Sequence, residues 1–477
     1  MNPAIVGSII IGYFVILIGI SWLTSRNSSD GDFYNANRQS PWYLVAFGMI
    51  GASLSGVTFI SVPGEVGNSN FHYFQVVLGY LVGYYVIARI LLPLYYSLNL
   101  VSIYTYLEER FGFWSYKSGA FFFLISRIIG SSFRLFLVAG VLQISFFDAF
   151  DLPFWVSVFV TIVLIWLYTF KGGIKTIVWT DTLQTAFMLL AVGISIFFIK
   201  DELNWSWGEL VTQISTDERS TIFNWDWQSG KNFFKQFASG AFIAIVMTGL
   251  DQDMMQKNLT CRTLPEAQKN VFWFCIILVI ANFLFLSLGL LQFQFAETLG
   301  LHIPERTDYL FPELAINHFP TFGAIVFLLG ITAAAYSSAD SALTALTTSF
   351  CVDFLGFTPK NYHEKKTLRK VVHFGFSLIL FVVILIFQAI NDQSVITAVF
   401  VAAGYTYGPL LGLFTLGIFT KVKVKDHLVP YVCLASPAIS YIINLNSVAW
   451  LGGYKFGFEI LILNGLLTFV GLLAIRK

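Results

Sequence analysis

Thirteen long apolar runs, set apart by short charged connections, leave this chain few ways to fold. They lie at about 3–24, 42–66, 73–96, 117–147, 152–170, 176–199, 236–257, 269–293, 321–354, 370–390, 393–419, 426–446 and 455–475. A helix needs about 20 apolar residues to cross the hydrocarbon core of a bilayer, and most of these runs reach that length. The expected fold class is therefore an all-α membrane protein of about thirteen transmembrane helices, with the lipid bilayer as its surroundings.

Composition agrees. Only 12% of the 477 residues are charged, where a soluble domain carries about 25%. The formal net charge of +1 speaks against a nucleic-acid partner, which needs a concentrated basic face. Cys261, Cys275, Cys351 and Cys433 stand singly, without metal-ligand or disulfide spacing, and read as small buried hydrophobes. The first run starts at Pro3 without a basic leader and reads as a retained helix, not a signal peptide.

With the N-terminus outside, the cytoplasmic segments hold nineteen of the 28 basic residues and the outside segments six, while Arg89, Arg127 and Arg134 lie within spans. That bias is the positive-inside pattern, and it puts the C-terminus in the cytoplasm of a cell inner (plasma) membrane. The span count suggests a leader helix with its loop at 1–41, five spans at 42–199, an extracellular loop at 200–235, a second five at 236–420, and two C-terminal helices at 421–477. Five spans per unit would make the second unit an inverted repeat of the first.

The second span, FGMIGASLSGVTFISVPG, carries Gly51, Ser53, Ser55, Gly56, Thr58 and Gly64. Such a stretch either unwinds and offers carbonyl oxygens to a small cation or packs closely against a neighbouring helix. In the ninth span Ala334, Ser337, Ser338 and Ser341 fall at i, i+3, i+4 and i+7, one face of a helix, where hydroxyls can line a cation site or bond to another helix. Asp340 sits near the middle of that span and Asp181 early in the sixth. A carboxylate inside a span is costly, which marks both as functional candidates; Asp181 has an interfacial reading beside Lys175. Asp353 reads as surface, and Asp251 and Asp253 as gate or capping groups.

Arg127 and Arg134 are seven residues apart and share a face. A guanidinium as deep as Arg134 needs a partner: either a substrate carboxylate gripped in bidentate fashion or an internal ion pair with Asp181 or Asp340. No histidine lies deep in a span to activate a serine, and neither HExxH nor a phosphate-binding GxxxxGK[ST] loop occurs. These absences point away from an enzyme and from ATP, toward a carrier driven by an ion gradient.

Five ordered motifs carry a resemblance: DFYNANRQSPWY (32–43), IYTYLEERFG (103–112), GGIKTIVWTDTLQ (172–184), GLDQDMMQKNL (249–259) and SSADSALTALTTSFCVDF (337–354). Together they resemble the sodium:solute symporter family. The resemblance implies a leucine-transporter-type fold with broken core helices, alternating access, and Na⁺ as coupling ion with no cofactor. It places a sodium site at Gly51, Leu54, Ala334, Ser337 and Ser338, and, by likeness to the sialic acid branch, a second ion site at Asp181, Asp340 and Ser341. Asp340 departs from the serine of that branch, which opens a strengthened second ion site, proton use or a pair with Arg134. The solute is expected at Ser53, Ser55, Thr58, Gln75 and Arg134, where sugar carriers would have amide and acid side chains instead of Val57 and Thr58. That tilts the expected solute toward a small polar anion. Phe59, Tyr405 and Tyr407 are the expected aromatic gates. A transporter-like sensor, a sugar-type carrier and a proton-coupled carrier of the same fold are the other readings.

Overall fold

The computed structural model describes residues 3–25, 40–98, 100, 102–169, 174–357, 364–391 and 394–477. Most of the 32–43 motif, the start of the 172–184 motif and Lys171 lie outside them. Among the described residues the protein is helical, and its only β-contacts are two isolated bridges, one of which ties Ser40 to Cys261.

The helices run in chain order as α1 (Pro3–Ser25), α2 (Trp42–Ser53), α3 (Gly56–Ser69), α4 (Tyr73–Val86), α5 (Leu92–Ser97), α6 (Thr105–Arg110), α7 (Phe113–Leu142), α8 (Phe154–Thr169), α9 (Ile174–Glu202) and α10 (Trp207–Thr216). They continue as α11 (Phe233–Ala244), α12 (Gln252–Asn258), α13 (Leu264–Thr298), α14 (Leu310–Asn317), α15 (Thr321–Ser349), α16 (Lys366–Ile390), α17 (Val395–Thr406), α18 (Gly408–Phe419), α19 (Val429–Trp450) and α20 (Ile460–Ala474).

Seven described helical stretches are long and apolar enough to cross a membrane, or nine if each of two bent pairs is one span. The bent pairs are α11 with α12, turned by 71°, and α17 with α18, turned by 49°. Gly56–Ser97 runs as one stretch of 42 residues, about 63 Å at 1.5 Å per residue and too long for one crossing. It is divided at Asn70, whose φ of 52° is a left-handed value that asparagine tolerates better than most residues. Shorter apolar helices stand at Ile5–Ile20, Trp42–Ser53, Phe154–Trp166 and Ile460–Ala474.

The packing is reciprocal. The broken pair α2/α3 packs on α13, and α11, the first half of the other broken pair, packs on α4, while α12 packs on α2, α13 and α15. Likewise α7 meets α16 and α17, while α15 meets α8 and α9. At the α4–α11 contact a Cβ on Gly79 or on Gly240 would collide with the facing backbone of Phe237 or Val76; only the missing side chains allow so close an approach, the usual device for joining helices in lipid.

The extramembrane segments are held by capping. Ser206 Oγ accepts from Glu209 N at 3.2 Å and Glu209 Oε2 accepts from Ser206 N at 2.7 Å, starting α10 with a reciprocal capping box. Thr263 caps α13, with Pro265 in its first turn. The expected surface position of Asp353 is corrected. Its carboxylate is buried and accepts from Tyr116 Oη at 2.8 Å and Ser349 Oγ at 2.6 Å, because the π-turn over Phe350–Phe354 that ends the span is covered by α7, which brings Tyr116 onto it.

Candidate ion and solute site

The second span unwinds. Leu54 (φ −78°, ψ 66°) and Ser55 (φ −72°, ψ −178°) leave helical geometry between α2 and α3, and the last carbonyls of α2 lose the partners an unbroken helix would give them. A Cβ on Gly51 would overlap Thr185 Oγ1 and lie 3.1 Å from Asp181 O and 3.3 Å from Ser337 Oγ. Glycine is therefore required where α2, α9 and α15 meet. Leu54, Ala334, Ser337 and Ser338 are all buried, the last three on the face of α15 that carries Ser337 to α2 and α9.

Asp181 is buried too. Its Oδ1 accepts from Ser337 Oγ at 2.8 Å and its Oδ2 from Lys257 Nζ at 2.8 Å, with only 1% of the lysine and 0% of the aspartate side chain exposed. Buried charge at that depth persists only when paired. Lys257 was visible in the sequence only as a neighbour of Asp251 and Asp253; nothing local tied it to a carboxylate 76 residues away. Ser341 Oγ lies 3.2 Å from Asp253 Oδ2, and Asp340 Oδ1 accepts from Ser341 N at 2.5 Å.

Asp251 caps α12, its Oδ1 accepting from Asp253 N at 3.0 Å and Met254 N at 3.3 Å. Its Oδ2 accepts from Tyr407 Oη at 2.8 Å and stands 3.8 Å from Arg127, which also pairs with Asp253. The expected capping role of Asp251 holds, and Tyr407 is tied directly to it.

Beside this network a cavity of about 80 Å³ opens among Ser53, Ser55, Thr58, Tyr73, Tyr80, Tyr84, Arg127, Arg134, Thr248 and Asn282. Arg134 has no ion-pair partner among the described residues; the carboxylates of Asp181 and Asp253 are taken by Lys257 and Arg127. Asn282 Nδ2 donates to Leu278 O at 2.8 Å, while its buried Oδ1 accepts nothing within the protein. Of the two arginines that line the cavity, Arg134 alone has no ion pair among the described residues, and Asn282 Oδ1 is a buried acceptor without a donor. Tyr73, Tyr80 and Tyr84 recur at spacings of seven and four, a single helix face, and this was the signal that sequence reading passed over.

Two expected contacts do not reach the cavity. Gln75 donates to His72 O at 3.1 Å and Lys231 O at 3.0 Å and accepts from Asn224 N at 3.1 Å, so it anchors the 200–235 loop instead. Phe59 packs with Phe311, Phe327 and Phe285 at ring separations of 5.3, 5.8 and 5.9 Å, inside an aromatic core. Tyr405 accepts from Asn444 at 2.8 Å and lines an outer cavity of about 240 Å³ that shares Tyr73 with the inner one. Tyr73, which lines both cavities, stacks at 6.2 Å on Phe400 of the inner one.

Residues 33–425 match the sequence profile of the Sodium:solute symporter family. The chain is 26% identical over 436 residues to the sodium/sialic acid symporter NanT of Aliivibrio fischeri, across 85% of this chain and 81% of that one. It is 25% identical over 444 residues to the sodium/sialic acid symporter SiaT of Proteus mirabilis, across 87% and 84%. Among solved structures it is similar to a Na⁺-coupled sialic acid symporter in a substrate-bound outward-open state, with a TM-score of 0.83 and 18% identity over 99% of both chains.

Proposed function

The chain belongs to the sodium:solute symporter family, and from that premise we propose that its solute is a small organic anion whose charged group is held by Arg134. It is a sodium-coupled secondary transporter of leucine-transporter-type fold, working by alternating access, and not an enzyme. The observation that carries the solute reading is the Arg134 guanidinium at the wall of the inner cavity with no ion pair among the described residues. An uncompensated cation inside a membrane is costly, and a bound carboxylate relieves it with the bidentate geometry arginine favours. Asn282 Oδ1 asks for a donor on the same solute, a hydroxyl or amide N–H. Sialic acid, for which the two similar symporters are named, has both features.

Sodium is assigned to the break between α2 and α3, with carbonyls of Gly51 and Leu54, the carbonyl of Ala334 and the hydroxyls of Ser337 and Ser338 as its oxygens. A hard cation of this kind takes oxygen ligands, and the close approach of Gly51 to Ser337 supports the grouping. The reciprocal packing of the broken helices supports two inverted units, 42–199 and 236–420, within thirteen crossings. The basic-residue bias supports an outside N-terminus in a plasma membrane.

Thermal unfolding of the purified protein against carboxylates, sugars and amino acids, with and without sodium, tests the solute. Acids with a neighbouring hydroxyl or amide should stabilise only in sodium. Arg134→Ala should weaken that binding about 10- to 100-fold, the range expected from losing ~1.5–3 kcal/mol of hydrogen bonding to a charged group. Stabilisation by uncharged sugars that survives Arg134→Ala would refute the anion reading.

A further inference from the structure

The second ion position expected from the sequence is already provided with a cation by the chain itself. Lys257 projects from α12, the half-helix beyond the 71° bend of its span, and its ammonium donates to Asp181 Oδ2 at 2.8 Å. The other oxygen of that carboxylate accepts the Ser337 hydroxyl proton at 2.8 Å. Both charged groups are cut off from solvent, so neither has water to fall back on if the pair opens. Around them, the Asp340 carboxylate lies within electrostatic reach of the same ammonium. Ser341 leans on Asp253, which Arg127 neutralises. A sodium ion placed between Asp181 and Ser341 would meet a primary ammonium already seated on the carboxylate meant to neutralise it.

We propose that Lys257 acts as a built-in cation in place of a second sodium, so that this carrier binds one sodium ion, at the Gly51, Leu54, Ala334, Ser337 and Ser338 site. The inference rests on the sodium-site reading above. Lys257 and Asp181 then act together on Ser337, holding its hydroxyl with the proton toward Asp181 and the lone pairs free for the single sodium. Lys257 is thus a positioning residue that sets the ion stoichiometry, and Asp181 is not itself a sodium ligand.

The test needs no solute. Binding of ²²Na⁺ to the purified full-length protein should saturate at one ion per chain, with a Hill coefficient near one. Asp181→Asn leaves the ammonium unpaired beside the sodium and should weaken sodium binding at least about tenfold, as expected for like charges at close range. Adding Lys257→Gln to Asp181→Asn removes that repulsion and should restore most of the affinity, a coupling that independent sites would not show. Two ions per wild-type chain would overturn the inference and leave the carrier reading standing; no sodium bound would overturn both. If the double variant binds as weakly as Asp181→Asn, or simply unfolds while wild type binds two ions, Lys257 is not the surrogate cation.

Discussion

At the level of single residues the grouping of Gly51 with Ser337 was legible in the sequence and the electrostatics around it were not. Ser337 and Ser338 stand out because hydroxyls repeating at helical spacing put one polar face on an otherwise apolar span, and Gly51 because glycine in such a span marks either a break or a close approach; here it marks both. Lys257 stayed hidden because a salt bridge between α9 and α12 leaves no trace in local sequence. Gln75 was misread for a similar reason: its partners, Lys231 and Asn224, come from a distant loop. Asp353 was misread because it stands at the end of its helix, and Tyr116, which covers it, comes from a helix 237 residues away in sequence. Ser338→Ala should raise the sodium concentration for half-maximal stabilisation several-fold, the loss of one oxygen ligand at about 1 kcal/mol. Gly51→Ala should do the same by forcing Thr185 aside. Sodium titrations of thermal unfolding read both, and unchanged midpoints in both variants would remove the site.

At the level of elements, apolar runs gave the helices, while the breaks needed tertiary context. The α2/α3 break was foreseeable from clustered Gly and Ser. The bends at α11/α12 and α17/α18 were not, since a cap at Asp251 reads equally well as the end of a span, and only the packing shows that the chain goes on as α12. Outside the membrane, the α10–α13 loop is fastened by Arg219, which donates to Asp217 at 2.8 and 3.0 Å and pairs with Glu297 at 2.7 Å. Those hydrogen bonds hold the Asp217 carboxyl below its usual range. A carboxylate with a lowered folded-state pKa contributes stability above its unfolded pKa and loses it as pH falls through the folded value. Asp217→Asn should therefore cost about 1 kcal/mol or less at neutral pH, and the difference from wild type should vanish on acidification as Asp217 takes up its proton. Thermal unfolding across an acid series measures this; a difference that persists at the acid end would show that the clamp is not electrostatic.

At the level of the whole molecule, the proposed orientation rests on the excess of basic residues in alternate loops, and the proposed inverted repeat on reciprocal packing, since similarity between the halves is weak. Single cysteines in a cysteine-free background report sidedness. One placed at Ser229 should react with a membrane-impermeant maleimide from outside intact cells, and one at Lys423 only after the membrane is opened. The reverse pattern would invert the topology and with it the direction of the sodium gradient used.

Transport, on this reading, couples a sodium site at a broken helix to an arginine facing a neighbouring cavity. Proteoliposomes loaded without sodium, given an inward sodium gradient and a radiolabelled acid chosen by sodium-dependent thermal stabilisation, should accumulate that acid above its external concentration, and Arg134→Ala proteoliposomes should not. Accumulation that is equal in a potassium gradient, or that survives Arg134→Ala, would contradict that coupling.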